Sequence, residues 1–142
     1  MVATVQTIVV GVDGSEPSLR ALSAAADLAR GLDAHLSVVF ARYIYLALPQ
    51  HVAEDLFADV LADAERAVEG LVRSGLEGCG VEWSFESHEG HPEEVIGDVA
   101  TRTDAAFVVV GRSGWSTLHE VLLGSVSSRL AHRTDWPVLL VS

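Results

Sequence analysis

The sequence contains no lysine: all nine of its basic residues are arginine. A Walker A nucleotide site, a Schiff-base enzyme and the phosphorylation switch of response regulators each depend on a particular lysine. All three are excluded in their usual forms. Cysteine is nearly as scarce. With Cys79 alone no internal disulfide can form, and a cytoplasmic setting is expected. Long apolar runs are missing, and stretches such as Ala105–Val110 are far too short to span a bilayer. The opening MVATVQTIVV has no basic residue ahead of its apolar segment, so it does not read as a secretory signal. Positive charge is in deficit. Nine basic and twenty acidic side chains leave −11, a field that argues against nucleic acid and anionic membrane as partners. No G-x-S-x-G elbow occurs, and Cys79 sits between two glycines with no nearby cation to activate it, so nucleophilic catalysis finds no support.

What is present reads as one domain over residues 1–142, half apolar and long enough to bury a core. Thr7–Val12 is a continuous β-branched run, as a strand buried on both faces should be. Ser15 caps a helix with Pro17 in its first turn and an apolar face of Leu19, Leu22, Ala26 and Ala29, which Gly31 is expected to stop. His35–Arg42 is a second strand. Leu56, Val60, Ala64, Ala67 and Leu71 make a helical stripe from about Val52 to Ser74. Val81–Ser87 alternates as a strand with one wet face. Pro92–Arg102 is a short helix, Ala105–Val110 a buried strand, Gly124–Arg133 another helix and Pro137–Val141 a final strand. The alternation predicts an α/β fold with a parallel sheet and helices on both faces. Ligands of such sheets bind at the carboxyl ends of the strands, where the order reverses.

The chemistry concentrates at those ends. Gly111, Gly114, Gly124 and Ser125 form a G-x2-G-x9-G-S pattern between the fourth strand and the following helix. Glycines let backbone N–H groups approach a ligand, and a helix start at Ser125–Ser127 offers free N–H groups with the positive end of the dipole. Arg112 could add a cation. The same residues also suit a plain strand–loop–helix connection with a serine cap, and the spacing leaves both readings open. Asp13, directly after the first strand, could accept hydrogen bonds from a ribose, hold a divalent cation, or simply cap the next helix. His88-Glu89-Gly90-His91 matches the HxGH signature of nucleotidyl transferases, but it follows the third strand rather than the first and lacks the accompanying lysine. No third ligand joins these histidines, so a metal site is not expected from them. Glu54, Asp55, Asp59, Asp63 and Glu69 read as a solvated acidic face.

Taken together, TIVVGVDGSEPSLRAL, GHPEEVI and AAFVVVGRSGWSTLHEVLLGSVSSRLAHRTDWPVLLV resemble the universal stress protein family, in its ATP-binding branch. The resemblance spans nearly the whole chain and is least marked from Tyr43 to Gly80. It implies a three-layer α/β/α sandwich of the adenine nucleotide α-hydrolase-like type, with a five-stranded parallel sheet in the order 3-2-1-4-5. It also implies ATP with Mg2+ as ligand. Val12 and Asp13 would lie by the nucleoside, Ala41 would meet the adenine edge through its backbone, and Gly111, Arg112 and Gly114 would line the ribose and phosphate path. Gly124, Ser125, Val126 and Ser127 would hold the phosphates. The implied function is nucleotide-dependent regulation in a stress response, with a slow Mg-dependent hydrolase or a ligand-free interaction module as alternatives and cyclic AMP as a further possible ligand. A homodimer through the C-terminal edge strand, with Trp136 at its margin, completes the expectation.

Overall fold

The β-branched runs pair side by side. In the computed structural model, which describes residues 5–43, 48–112, 130 and 135–142, the strands are β1 (Thr7–Gly11), β2 (His35–Arg42), β3 (Trp83–Glu89), β4 (Phe107–Gly111) and β5 (Val138–Val141). The helices are α1 (Glu16–Leu32), α2 (Gln50–Leu56), α3 (Ala58–Leu76) and α4 (Pro92–Thr103). The sheet has the order β3-β2-β1-β4-β5, with every pairing parallel, as expected. Helices cover both faces because the side chains of each strand sort with period two. Ile8, Val10, Leu36 and Val38 pack with Leu22, Ala25 and Val72 on the α1/α3 side. Val9, Val39, Val108 and Val110 pack with Val95, Ile96, Val99 and Leu130 on the α4 side. Ile8, Val9 and Val10 are therefore wholly buried, which is why β1 is continuously apolar.

α1 begins where the sequence places it. Ser15 Oγ accepts a hydrogen bond from Ser18 N–H at 3.3 Å and Pro17 lies in the first turn. Its end differs from expectation. Gly31 stays helical, and the chain turns at Asp33, which is left-handed (φ 52) and donates its N–H to Ala29 O and Arg30 O. Ala34 N–H then bonds back to Ala29 O at 2.8 Å. α4 ends in the same way, with Asp104 left-handed (φ 50) and Ala105 N–H on Ala100 O at 2.9 Å. Aspartate tolerates this conformation better than most side chains, so a short polar residue replaces the usual glycine.

The long central helix is also corrected. It breaks at Phe57 into α2 and α3, and the face it buries is Leu61, Val68, Val72 and Leu76, with Ala64 the member of the expected stripe that packs on the same core. Two apolar series at helical spacing compete in this segment. The sheet side takes the series with the bulkier consecutive members, and Leu56, Val60 and Leu71 are left exposed. β3 lies two residues later than expected, with Trp83 and Phe85 turned to the α1/α3 core. Trp136, expected at an outer margin, is instead buried in the α4-side core. The expected helix Gly124–Arg133 lies outside the described residues apart from Leu130. Among the described residues no helix is long and apolar enough to cross a membrane.

Candidate functional site

The sheet order makes β1 and β4 neighbours, and α1 leaves β1 on one face while α4 arrives at β4 from the other. This is the switch point at which the carboxyl ends of the strands open a crevice. Ile8 pairs with Phe107, and Gly11 with Val39. Carrying these registers past the last paired residues sets Val12 level with Gly111. It also sets Asp13 between Ala41 on β2 and Arg112 on β4. The structure thus brings Val12, Asp13, Ala41, Gly111 and Arg112 to one edge across three adjacent strands. Gly114, Gly124, Ser125, Val126 and Ser127 lie outside the described residues.

Local bonding explains how each is held. Val12 is buried, and its N–H extends the ladder to Val39 O at 2.9 Å. Asp13 Oδ1 accepts from Ser15 N–H at 2.9 Å, and Asp13 N–H donates to Ser18 Oγ at 3.2 Å. Ser15 is thus the cap of α1, while Asp13 braces the turn that leads into it, using one carboxylate oxygen in a half-buried setting. Gly14 needs its φ of +86, and a Cβ there would meet Val68 Cγ2 at 3.4 Å and Leu71 Cδ1 at 3.6 Å. Ala41 is buried and pairs with His88 on β3.

Gly111 has a different reason to be glycine than the sequence gives. A Cβ on it would lie 2.6 Å from both the carbonyl carbon and oxygen of Pro17 and 2.9 Å from Ser18 N. The end of β4 is pressed against the first turn of α1, backbone to backbone. Arg112 follows at once, with its N–H on Val141 O at 2.8 Å and its side chain exposed. Arg20, Arg30, Arg42, Arg66, Arg73 and Arg102 each pair with a carboxylate. Arg112 is the one arginine among the described residues with no acidic partner. In a chain of −11, that leaves its guanidinium at the crevice uncommitted.

The rim beyond Ala41 was not legible in the sequence. Arg42 bridges Glu65 of α3 at 3.3 Å and Glu89 of β3 at 3.8 Å. The Tyr43 ring lies 4.2 Å from that of His91. No spacing rule joins residues 42, 65 and 89. Only the β2–β3 pairing and the crossing of α3 do so. Along β3, His88 Nε2 lies 2.8 Å from Glu86 Oε2, and Arg102 donates to the same oxygen at 2.6 Å. Partial burial works against ionisation of Glu86, but the hydrogen bonds from Arg102 and His88 outweigh it and hold its carboxyl below the usual glutamate value. The histidines of the HxGH match are thus engaged separately. Among the described residues, no group of three metal-binding side chains comes together.

A sequence model described as the universal stress protein family matches residues 4–142. A universal stress protein of Methanocaldococcus jannaschii is 30% identical over 136 residues, covering 94% of this chain and 80% of that protein. One from Mycobacterium tuberculosis is 35% identical over 147 residues, covering 96% and 95%. A crystal structure of a universal stress protein in complex with cAMP is 29% identical, with a TM-score of 0.75 over 99% of each chain.

Proposed function

The chain belongs to the universal stress protein family, and from that premise we propose that it binds ATP, with Mg2+, at the carboxyl edge of β2, β1 and β4. The observation that carries this reading is the uncommitted guanidinium of Arg112, one strand over from Asp13 at the same level of the sheet edge, with the G-x2-G-x9-G-S segment running on from Gly111. Asp13 has an oxygen beyond its turn bond to Ser15 to offer a ribose hydroxyl or the cation. Ala41 supplies backbone groups to the adenine edge, and Val12 packs beside the nucleoside. Gly114, Gly124 and the N–H groups of Ser125, Val126 and Ser127 take the phosphates, with Arg112 balancing their charge. In this reading the role is regulatory, and the bound nucleotide biases an interaction.

Calorimetry on the full chain tests this with ATP and Mg2+, cAMP and adenosine. ATP should bind well above adenosine, and Gly114→Ala combined with Gly124→Ala should weaken ATP strongly. Equal ATP affinity in wild type and double variant, both folded, removes the assignment. The cAMP complex of a relative favours a second reading, in which the cyclic nucleotide is the tighter ligand, and the same titrations rank the two.

Assembly through β5 belongs to the same proposal. Val108 N–H donates to Pro137 O and Arg112 N–H to Val141 O, so odd-numbered residues of β5 turn their backbone groups to β4. In a parallel pairing Val138 and Leu140 then turn theirs outward. Leu139 and Leu140 are each 40% exposed, on opposite faces of this edge. A second copy pairing antiparallel about a two-fold axis covers it and closes a dimer.

A further inference from the structure

Half of the eight large apolar side chains that stand well exposed among the described residues fall at or just before α2 and α3: Leu48, Leu56, Val60 and Leu71. Leu56 is 66% exposed and Val60 57%. Val60, Ala67 and Leu71 share one face of α3, at helical spacing, and this face is distinct from the one packed on the sheet. Between its apolar ends the face is low except at Asp63. Ala67 and Gly70 are exposed, and a Cβ on Gly70 would meet nothing within 4 Å. Large side chains at both ends with small residues between them form a shallow trough, which suits a helix laid along it. From Val60 to Leu71 the trough runs about 16 Å at 1.5 Å per residue, or roughly three turns of a partner helix.

Charge selects the partner. Asp55 and Asp59 are exposed beside Leu56 and Val60 and have no ion pair among the described residues. Asp63 lies on the same face, bound to Arg66. An anionic lipid surface is repelled by these carboxylates and by the charge of −11. A cationic segment is drawn to them. We propose that this α2–α3 face is a docking site for a basic amphipathic helix of a protein partner. The helix's apolar residues seat on Leu56, Val60, Ala67 and Leu71, and its arginines or lysines meet Asp55, Asp59 and Asp63. None of its residues is assigned a nucleotide contact, but Leu71 borders the crevice, its Cδ1 lying 3.6 Å from where a Cβ on Gly14 would be; the peptide titrations are therefore run without nucleotide.

The test uses the full chain and two synthetic peptides of about four helical turns. One has leucines on one face and arginines on the other, and the second has the same composition scrambled. Anisotropy should show the patterned peptide binding at least about tenfold tighter than the scrambled one, a difference of about 1.4 kcal/mol. Val60→Asn with Leu71→Asn should erase that preference. Asp55→Asn with Asp59→Asn should weaken both peptides and flatten the salt dependence. Equal binding of the two peptides to wild type overturns the proposal, and this comparison stands even where a variant folds poorly. An unchanged preference in the Val60/Leu71 variant overturns it as well. Attachment to phosphatidylserine vesicles lost in that variant assigns the face to membrane instead. A fall in light-scattering mass in the same variant assigns it to self-association.

Discussion

Gly111→Ala tests whether the glycine that opens the G-x2-G-x9-G-S pattern is there for packing rather than for a ligand. The added methyl carbon would lie 2.6 Å from the backbone of Pro17, against about 3.4–4 Å for an ordinary contact. Close to 1 Å of separation is therefore required, and neither side yields easily. The first turn of α1 is fixed by the Ser15 cap and the Asp13 bonds, and the end of β4 is held by β1 and by Val141. Overpacking costs about 1–3 kcal/mol, and backbone on both sides of the clash puts this case near the upper figure. Unfolding entropy of about 2.1 cal/mol/K per residue gives roughly 0.3 kcal/mol/K for a chain of this size, so a 3 kcal/mol loss lowers Tm by about 10 °C. Calorimetric melting without nucleotide isolates the packing effect. Gly31→Ala serves as the control. Its Cβ meets nothing within 4 Å in the last turn of α1, so it should leave stability unchanged or raise it by at most about 0.5–1 kcal/mol. A Gly111→Ala melt within about 3 °C of wild type would refute the reasoning.

Asp13→Ala should lower Tm through the lost bond to Ser15, and should also weaken ATP by about 1–3 kcal/mol if the carboxylate meets the nucleoside or cation. Tm falling alone assigns it to bracing the start of α1 only. Asp33→Gly and Asp104→Gly relieve left-handed non-glycine residues and should each stabilise by about 0.5–1 kcal/mol, net of the extra freedom glycine has when unfolded; chemical denaturation reads this. Glu86 ionises more readily folded than unfolded, so it adds stability above its unfolded value, and that contribution is lost as pH falls through the lowered folded value. Glu86→Gln should therefore melt below wild type at pH 7, and the gap should close in acid; a gap unchanged at acid pH contradicts the pairing. Leu140→Pro removes an outward donor of β5 and should shift light-scattering mass from two chains to one. Leu139→Pro breaks the chain's own ladder to β4 instead, and should lower Tm.

The fold was legible because parallel strands buried on both faces must be continuously apolar, and Thr7–Val12 and Ala105–Val110 advertise that requirement, as does His35–Arg42 apart from its ends and the buried Ser37. Helix starts were legible where a hydroxyl and a proline coincide, at Ser15 and Pro17. Helix ends were not, because aspartate in the left-handed conformation looks like any surface acid. The choice of buried face on α3 was hidden for another reason. Two apolar series coexist in the sequence, and only packing against α1 and β2 decides between them. At the site, Val12, Asp13, Ala41, Gly111 and Arg112 could be placed because strand ends are countable. The Arg42–Glu65–Glu89 bridge and the Tyr43–His91 contact could not, since each depends on a crossing of elements distant in sequence.

The two aspartate corners also bear on how the chain finds its pairing. A parallel sheet has no hairpins to set strand alignment, and a one-residue slip of β2 or β4 would exchange the residues destined for its two cores. After each corner, the emerging backbone is caught on the start of β1: His35 N–H on Gln6 O and Ala106 N–H on Thr7 O, both at 2.8 Å. The corners thus act as alignment pins, built from helix-end bonds that are local in sequence. Non-local pairing is the slow step of such topologies. Lengthening either corner by a single residue would leave the native alignment competing with a slipped one, and should slow folding more than it lowers stability.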